Sequence, residues 1–276
     1  MRVRLILNEK SRRGAESAPG VRAALDELNV EIVEREPYDA IVAAGGDGTI
    51  VSSLAEAMQA KVPLGIIPLG TFNDLARTFG IPLDVPGACA IVAGGTTREI
   101  DVGRVNGAYF VNEASIGIST RIARRQTPEL KQRFGFFGVA GTTIQTLAQH
   151  RPFFAEVDFD GRSEQFRTVQ LTFANSYHFG GLIEVPGGSI DNGMLELFSV
   201  EIENWLGVIP IVRKAITHDR GSVDGLRRRR SNRFTVHTHR PHHISADGEP
   251  AGVTPAVFES IPRALRIIVP KPPAPQ

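Results

Sequence analysis

AAGGDGTIVSSL, residues 43–54, sets two glycines, an aspartate, a third glycine and a threonine between an apolar run and an amphipathic segment. Before it, DAIVAA (39–44) is an apolar run of strand length; after it, Ile50, Leu54 and Met58 recur at helical spacing. A turn from the carboxyl end of a parallel strand into a helix exposes backbone N–H groups beside the positive end of a helix dipole, a favourable seat for polyphosphate. Gly45, Gly46 and Gly48 let such a group approach the main chain. Asp47 repels phosphate but suits a hydrated magnesium ion that bridges phosphate oxygens. Thr49 is expected to cap the helix and donate to phosphate. The competing reading of GGDGT is a plain tight turn with a helix cap.

Working outward, VRLIL (3–7) reads as a buried strand and SAPGVRAALDEL (17–28) as a helix started by Pro19. VEIVE (30–34) and DAIVAA are the next strands, giving the rhythm of an α/β domain with a mostly parallel sheet. About four residues separate these two strands, whereas a parallel crossover needs a dozen or more. Either they are not parallel neighbours, or a helix is missing and the first lies at a shortened edge. VPLGIIP (62–68) is a further strand, followed by the turn LGTFND, a short helix LARTFG ending at Gly80, and a helix over 86–93. From about residue 97 strands dominate, among them REIDVGRV, GAYFVNEASI, QFRTVQLTFAN, GMLELFSVEI, RFTVHTH and HHISADG, so a second, β-rich domain is expected. Helical interruptions are expected over 128–149 and 205–218. The expected division is 1–100, 101–262 and a C-terminal segment, 263–276, that returns to the first domain and ends in a frayed PKPPAPQ.

The 276 residues suffice for two domains. The 31 basic and 30 acidic residues nearly cancel, so overall charge points to no nucleic-acid partner. Cys89 alone excludes a disulfide framework and a multi-cysteine metal site, and fits a reducing cytoplasm. No stretch approaches the roughly 20 apolar residues of a membrane span, and the apolar core of MRVRLILNEKSRRG is too short for a signal peptide.

IIPLGTFNDLAR (66–77) repeats the first design: strand, glycine, hydroxyl, then an Asn-Asp pair opening a helix. Two such turns can line one cleft. Asn73 and Asp74 either cap the helix and favour its dipole or contact nucleotide or acceptor. With GGDGT at 45–49, PLGTFNDLAR at 68–77, DVGRVNGAYFVNEASIG at 101–117, FANSYHFGG at 173–181, IDNGMLEL at 190–197 and ADGE at 246–249, the chain resembles the catalytic domain of diacylglycerol kinases and their sphingosine and ceramide kinase relatives. The resemblance implies an N-terminal domain like that of NAD kinase and 6-phosphofructokinase, a C-terminal β-sandwich, an ATP site between them, and phosphorylation of a lipid hydroxyl with ATP and Mg2+. It places Asn8 and Ser11 in a first phosphate loop, residues 45–49 on nucleotide phosphates, and Thr71 near the nucleotide. Glu249, with Asp247 beside it, resembles the acid pair that takes the proton of the attacking hydroxyl. Read without the family, Asp-Gly in SADGEP signals only a hairpin turn.

For metal, Asp101 either joins a magnesium water network with Asp47 or simply ends a strand. In the family a metal-binding acid directly precedes the glycine matching Gly193, assisted by backbone carbonyls; by likeness these are Asn192, with Ser189 and Met194. Here the acid, Asp191, lies one residue earlier, which weakens binding. Other departures are Glu9 and Arg12 in NEKSRRG, where relatives carry proline and glycine; the short link near 34–38; and Leu182 in place of a third glycine. RIARR (121–125) and RRRRSNR (227–233) are candidate docking patches for an anionic membrane surface. FGFFG (134–138) either lines an acyl groove or packs in the core. HTHRPHH (237–243) lacks a completing ligand set for zinc.

The expectation is a cytoplasmic kinase, peripheral at the inner membrane face, acting with ATP and magnesium on a lipid alcohol. The alternatives are an NAD kinase-like enzyme and a non-catalytic nucleotide- or lipid-binding protein with a degraded metal site.

Overall fold

A computed structural model describes residues 1–9, 11–71, 73–118, 151–175, 178–179, 183–184, 190–201 and 225–272. The apolar runs read as strands form them: β1 (Arg2–Leu7), then α1 (Arg12–Glu27), β2 (Glu31–Ile32), β3 (Ala40–Gly45), α2 (Asp47–Ala60), β4 (Leu64–Pro68), α3 (Asp74–Thr78) and α4 (Val85–Gly94). β1, β3 and β4 are parallel neighbours, with Leu7 opposite Ala44 and Gly45 opposite Pro68. All six residues of β3 are buried, as suits a strand covered on both faces.

The short link before β3 resolves through strand order. β2 pairs with β1 on the side away from β3, so the order is β2, β1, β3, β4, and the link passes the end of β1 instead of crossing over between neighbours. β2 is also a two-residue edge strand. The first helix departs from the sequence reading: it starts at Arg12, and Pro19 lies inside it. Ser11 explains the earlier start, because its hydroxyl oxygen accepts from Gly14 N at 3.0 Å and its O–H donates to Asn8 O at 3.1 Å. An interior proline costs about 3 kcal/mol; burial of Ala18, Val21 and Leu25 on the opposite face offsets it.

The β-rich part comprises β5 (Thr96–Val105), β6 (Ala108–Phe110), β7 (Glu113–Gly117), β8 (Phe153–Phe159), β9 (Arg162–Thr168), β10 (Gln170–Ala174), β11 (His178–Phe179), β12 (Ile183–Glu184), β13 (Leu195–Val200), β14 (Leu226–Ser231), β15 (Arg233–Thr238), β16 (His243–Ala246), β17 (Glu249–Val253) and β18 (Ala256–Val269). The antiparallel sheet β14-β13-β10-β7-β16-β17 faces β18, β15, β8 and β9 across a core in which Phe173 stacks on Phe258 with ring centroids 3.8 Å apart. The architecture is an α/β unit followed by a β-sandwich. The segments 128–149 and 205–218, expected to be helical, lie outside the described residues.

β18 joins the two parts. Its first half pairs with β15, Glu259 opposite Arg233, and its second half lies parallel to β4, Ile267 opposite Leu64. The division expected at residue 263 therefore falls inside one strand, at an irregularity between Ile261 and Leu265. Leu265 and Ile267 sit in the core of the α/β unit. Ile267→Ala is expected to lower the free energy of unfolding by about 2–5 kcal/mol, read as a lower urea midpoint at unchanged slope.

Candidate functional site

Three loops leave the carboxyl ends of β1, β3 and β4 side by side. Asn8 N donates to Ala44 O at 3.2 Å, and Leu69 N to Gly45 O at 2.8 Å. The two glycine turns touch through bare main chain: a Cβ on Gly70 would lie 2.6 Å from Gly46 Cα. Arg13, in the first turn of α1, donates to Gly70 O at 3.0 Å and ties the first loop to the third. Arg12 pairs with Glu16 one turn along α1.

Two capping expectations are corrected. Gly46, extended at φ −84° and ψ −178°, is the N-cap of α2, and Thr49 lies one turn inside the helix with its carbonyl taken by Ser52 and Ser53 hydroxyls. No side chain caps this end; Thr49 N and Ile50 N return to Gly46 O, which leaves the amides of Asp47 and Gly48 for a ligand. Asn73, left-handed at φ 53°, does not cap α3 with its side chain. Its Oδ1 accepts from Gly70 N at 2.9 Å and its Nδ2 donates to Gly70 O at 3.1 Å, bracing the glycine turn. Thr71 is exposed on that turn, and Asp74 opens α3.

The sandwich brings its own acids to this place. Asp247 and Gly248, at φ 46° and 88°, form the two-residue turn between β16 and β17, so the hairpin reading holds together with the functional one. Asp247 accepts from three consecutive amides, Val111 N at 2.7 Å, Asn112 N at 3.0 Å and Glu113 N at 2.8 Å. Burial nonetheless pushes its carboxyl up to about 6, with the charge of Asp47 adding to the rise against the lowering effect of those amides. Its oxygens are thus committed to the main chain. Asp247 positions the turn, whereas the carboxylate of Glu249, the other member of the expected acid pair, is not tied to those amides. Glu249 is exposed, with Oε1 3.6 Å from where a Cβ on Gly48 would stand, at the head of α2. Asp47 Oδ1 is buried without a hydrogen-bond partner among the described residues.

The sequence reading missed Glu113. Burial first, then the charges of Asp247 and Asp74, push its carboxyl up to about 8, and Oε2 is buried without a hydrogen-bond partner among the described residues. The available signal was an acid opening the otherwise small and apolar strand EASIG. Asn175 was missed as well; it is buried, and its Nδ2 donates to Asp101 O at 3.0 Å and Val111 O at 3.1 Å, linking β5 to the segment that cradles Asp247.

Among the described residues, the side chains of the second expected metal set are engaged by protein donors. Asp101, 1 % exposed, accepts from Gly193 N at 2.5 Å and Arg263 N at 2.9 Å, so it fastens backbone and does not join Asp47. Asp191 pairs with Arg98 at 2.6 Å. Asn192 Oδ1 accepts from Met194 N at 2.8 Å. Ser189 lies outside the described residues. Among the described residues no group of three or more His, Cys, Asp or Glu could hold a metal ion.

The basic run 227–233 lies among acidic partners. Arg227 and Arg229 pair with Glu164 and Arg227 with Glu201, Arg228 and Arg230 pair with the nearly buried Glu196, and Arg233 pairs with Glu259. Much of its charge is matched by acids on adjoining strands, Glu196 standing directly opposite Arg230. Residues 121–125, 134–138 and 182 lie outside the described residues.

Residues 16–105 match the family of the diacylglycerol kinase catalytic domain, and residues 112–269 match the YegS C-terminal NAD kinase beta sandwich-like domain. The chain is 32 % identical over 239 residues to the diacylglycerol kinase of Bacillus subtilis (strain 168), covering 85 % of this chain and 78 % of that protein. It is 28 % identical over 247 residues to the diacylglycerol kinase of Staphylococcus aureus (strain JH9), covering 88 % and 78 %. The crystal structure of a diacylglycerol kinase from Bacillus anthracis str. Sterne superposes with a TM-score of 0.78 at 22 % identity, over 99 % of this chain and 97 % of that one, which establishes the shared fold.

Gly70→Ala must push the two glycine turns apart, because the new methyl meets Gly46 Cα at 2.6 Å and Asn73 Oδ1 at 2.8 Å. Calorimetric titration is expected to show at least about tenfold weaker adenine nucleotide binding, the loss of a site that depends on close main-chain approach. Glu113 holds a proton in the folded state between its ordinary value of 4.5 and about 8, while the unfolded chain has released it. Its contribution to stability is therefore greatest on the acid side of that window and is lost as pH rises through it. Glu113→Gln, which cannot ionise, is expected to raise the melting temperature relative to the natural protein increasingly from about pH 4 to about pH 8.

Proposed function

This chain belongs to the diacylglycerol kinase catalytic-domain family, a family of lipid kinases, and from that membership we propose that it transfers the γ-phosphate of ATP to a hydroxyl of a lipid such as diacylglycerol, a related glycerolipid or a long-chain base. The observation that carries the reading is the approach of Glu249, from the sandwich, to Gly48 at the head of α2. A proton acceptor from one part of the chain meets an uncapped helix end and two glycine turns from the other.

The division of labour follows from the residues. The free amides of α2 and the main chain at Gly46 and Gly70 receive the phosphates. Arg13, held by Gly70 O, stands beside them as a fixed positive charge. Asp47 fits a magnesium ion carried by the nucleotide, since its buried Oδ1 has no protein donor among the described residues; when bound, that ion supplies neutralisation of phosphate charge. Glu249 accepts the proton of the lipid hydroxyl as that oxygen bonds to the γ-phosphorus and the bond to the β–γ bridging oxygen breaks, leaving ADP. Asp247, locked by three amides, holds the turn that aims Glu249. The acceptor is a bilayer lipid, so the protein works at the cytoplasmic face of a membrane; among the described residues no helix is long and apolar enough to cross one.

Total lipid extract incubated with protein, ATP and magnesium is expected to yield a lipid that gains one phosphate by mass spectrometry. Glu249→Gln is expected to reduce kcat by about 10²–10⁴ with little change in KM for ATP, the usual worth of a positioned base. Asp47→Ala is expected to impair magnesium-dependent turnover. Phosphorylation of NAD with no lipid product, or equal background from all three proteins, would overturn the reading.

A further inference from the structure

We infer that Arg98 does in this chain what a bound cation would do: its guanidinium closes the 190–194 loop onto β5, and that loop is held without metal. The inference is independent of which substrate is phosphorylated.

A divalent cation at this loop would need oxygens whose lone pairs are free to face it. Asp191 Oδ2 instead receives Arg98 at 2.6 Å. The side-chain oxygen of Asn192 is turned back on its own loop, accepting from Met194 N at 2.8 Å. Asp101 spends Oδ2 on Gly193 N at 2.5 Å and Oδ1 on Arg263 N at 2.9 Å. Asp191 Oδ2, Asn192 Oδ1 and both carboxylate oxygens of Asp101 thus already have protein donors. The sequence carries the same message, for the residue before Gly193 is a neutral asparagine and the acid one step earlier lies within reach of a cation on β5.

The latch reaches the site through a short chain of bonds. Asp101 binds the loop at Gly193, its carbonyl receives Asn175 Nδ2, and Asn175 also holds Val111 O. Val111 N is in turn one of the amides on Asp247, which carries the turn leading to Glu249. Arg98 is therefore a positioning residue, since it touches the loop and not the reacting groups. Arginine suits that place because its charge does not depend on pH in the working range and its planar donors fit a carboxylate.

The test is thermal melting of the full chain without nucleotide or lipid, with magnesium, with manganese, or with EDTA. The natural protein and Asp47→Asn are expected to melt at the same temperature in all three. Arg98→Gln and Asp191→Asn are each expected to melt about 2 °C lower, with the double variant no lower than either, as for one coupled pair. Arg98→Gln combined with Asn192→Asp is expected to regain the lost stability only when magnesium or manganese is present, a rescue that a purely packing role for Arg98 would not give. A magnesium-dependent rise in melting temperature that persists in Asp47→Asn would overturn the inference. So would an Arg98→Gln protein that melts like the natural one. Should Arg98→Gln fail to fold, Arg98→Lys in the same assay decides: it is expected to be metal-independent, and metal dependence would sink the idea.

Discussion

The carboxylate of Asp247, closed on the amides of residues 111–113, is the contact on which the site depends. A half-buried acid with three backbone donors is firmly oriented, and a hairpin turn anchored by it is held in place. That fixes where β17 begins and hence where Glu249 emerges. The same amides lead into β7 and include its first residue, so the turn is registered against one of the two central strands of the antiparallel sheet. Without this anchor the proton acceptor would sit on an exposed hairpin tip, free to sample positions away from the head of α2.

Close approach on the other side is a matter of what is missing. Gly46 and Gly70 pack so closely that a side chain on Gly70 would meet Gly46 Cα, and Asn73 spends its amide bracing the turn when it could have capped a helix. The result is a shallow basin of main-chain donors with Arg13 at its rim and carboxylates opposite. The acids repel one another, and the protein meets this at Glu113, whose carboxyl burial pushes up to about 8 so that it keeps its proton at neutral pH.

Most of the architecture was legible because it rests on short-range rules. Apolar runs became strands, the glycine turns lay where strands pass into helices, and the ADG turn was signalled by its dipeptide. What was not legible came from residues distant in sequence. Whether Asp101 faces a metal or the amides of Gly193 and Arg263 is decided by a loop about 90 residues away and a strand about 160 away, and no local pattern reports that. The four arginines of 227–230 looked like an open basic patch because their glutamate partners sit on other strands. Pro19 pointed to a helix start, a sound local prior, until the serine cap upstream outweighed it.

β18 has a consequence for the order in which the protein can be completed. The edge of β4 is covered by residues near 267, while β4 itself ends at residue 68. As the chain emerges from the ribosome, roughly 200 residues must follow β4 before its neighbour is made, and until then the α/β unit exposes an unpaired, apolar strand edge. Such an edge is open to pairing with other chains, so the nascent protein has reason to be shielded by chaperones until β18 is released.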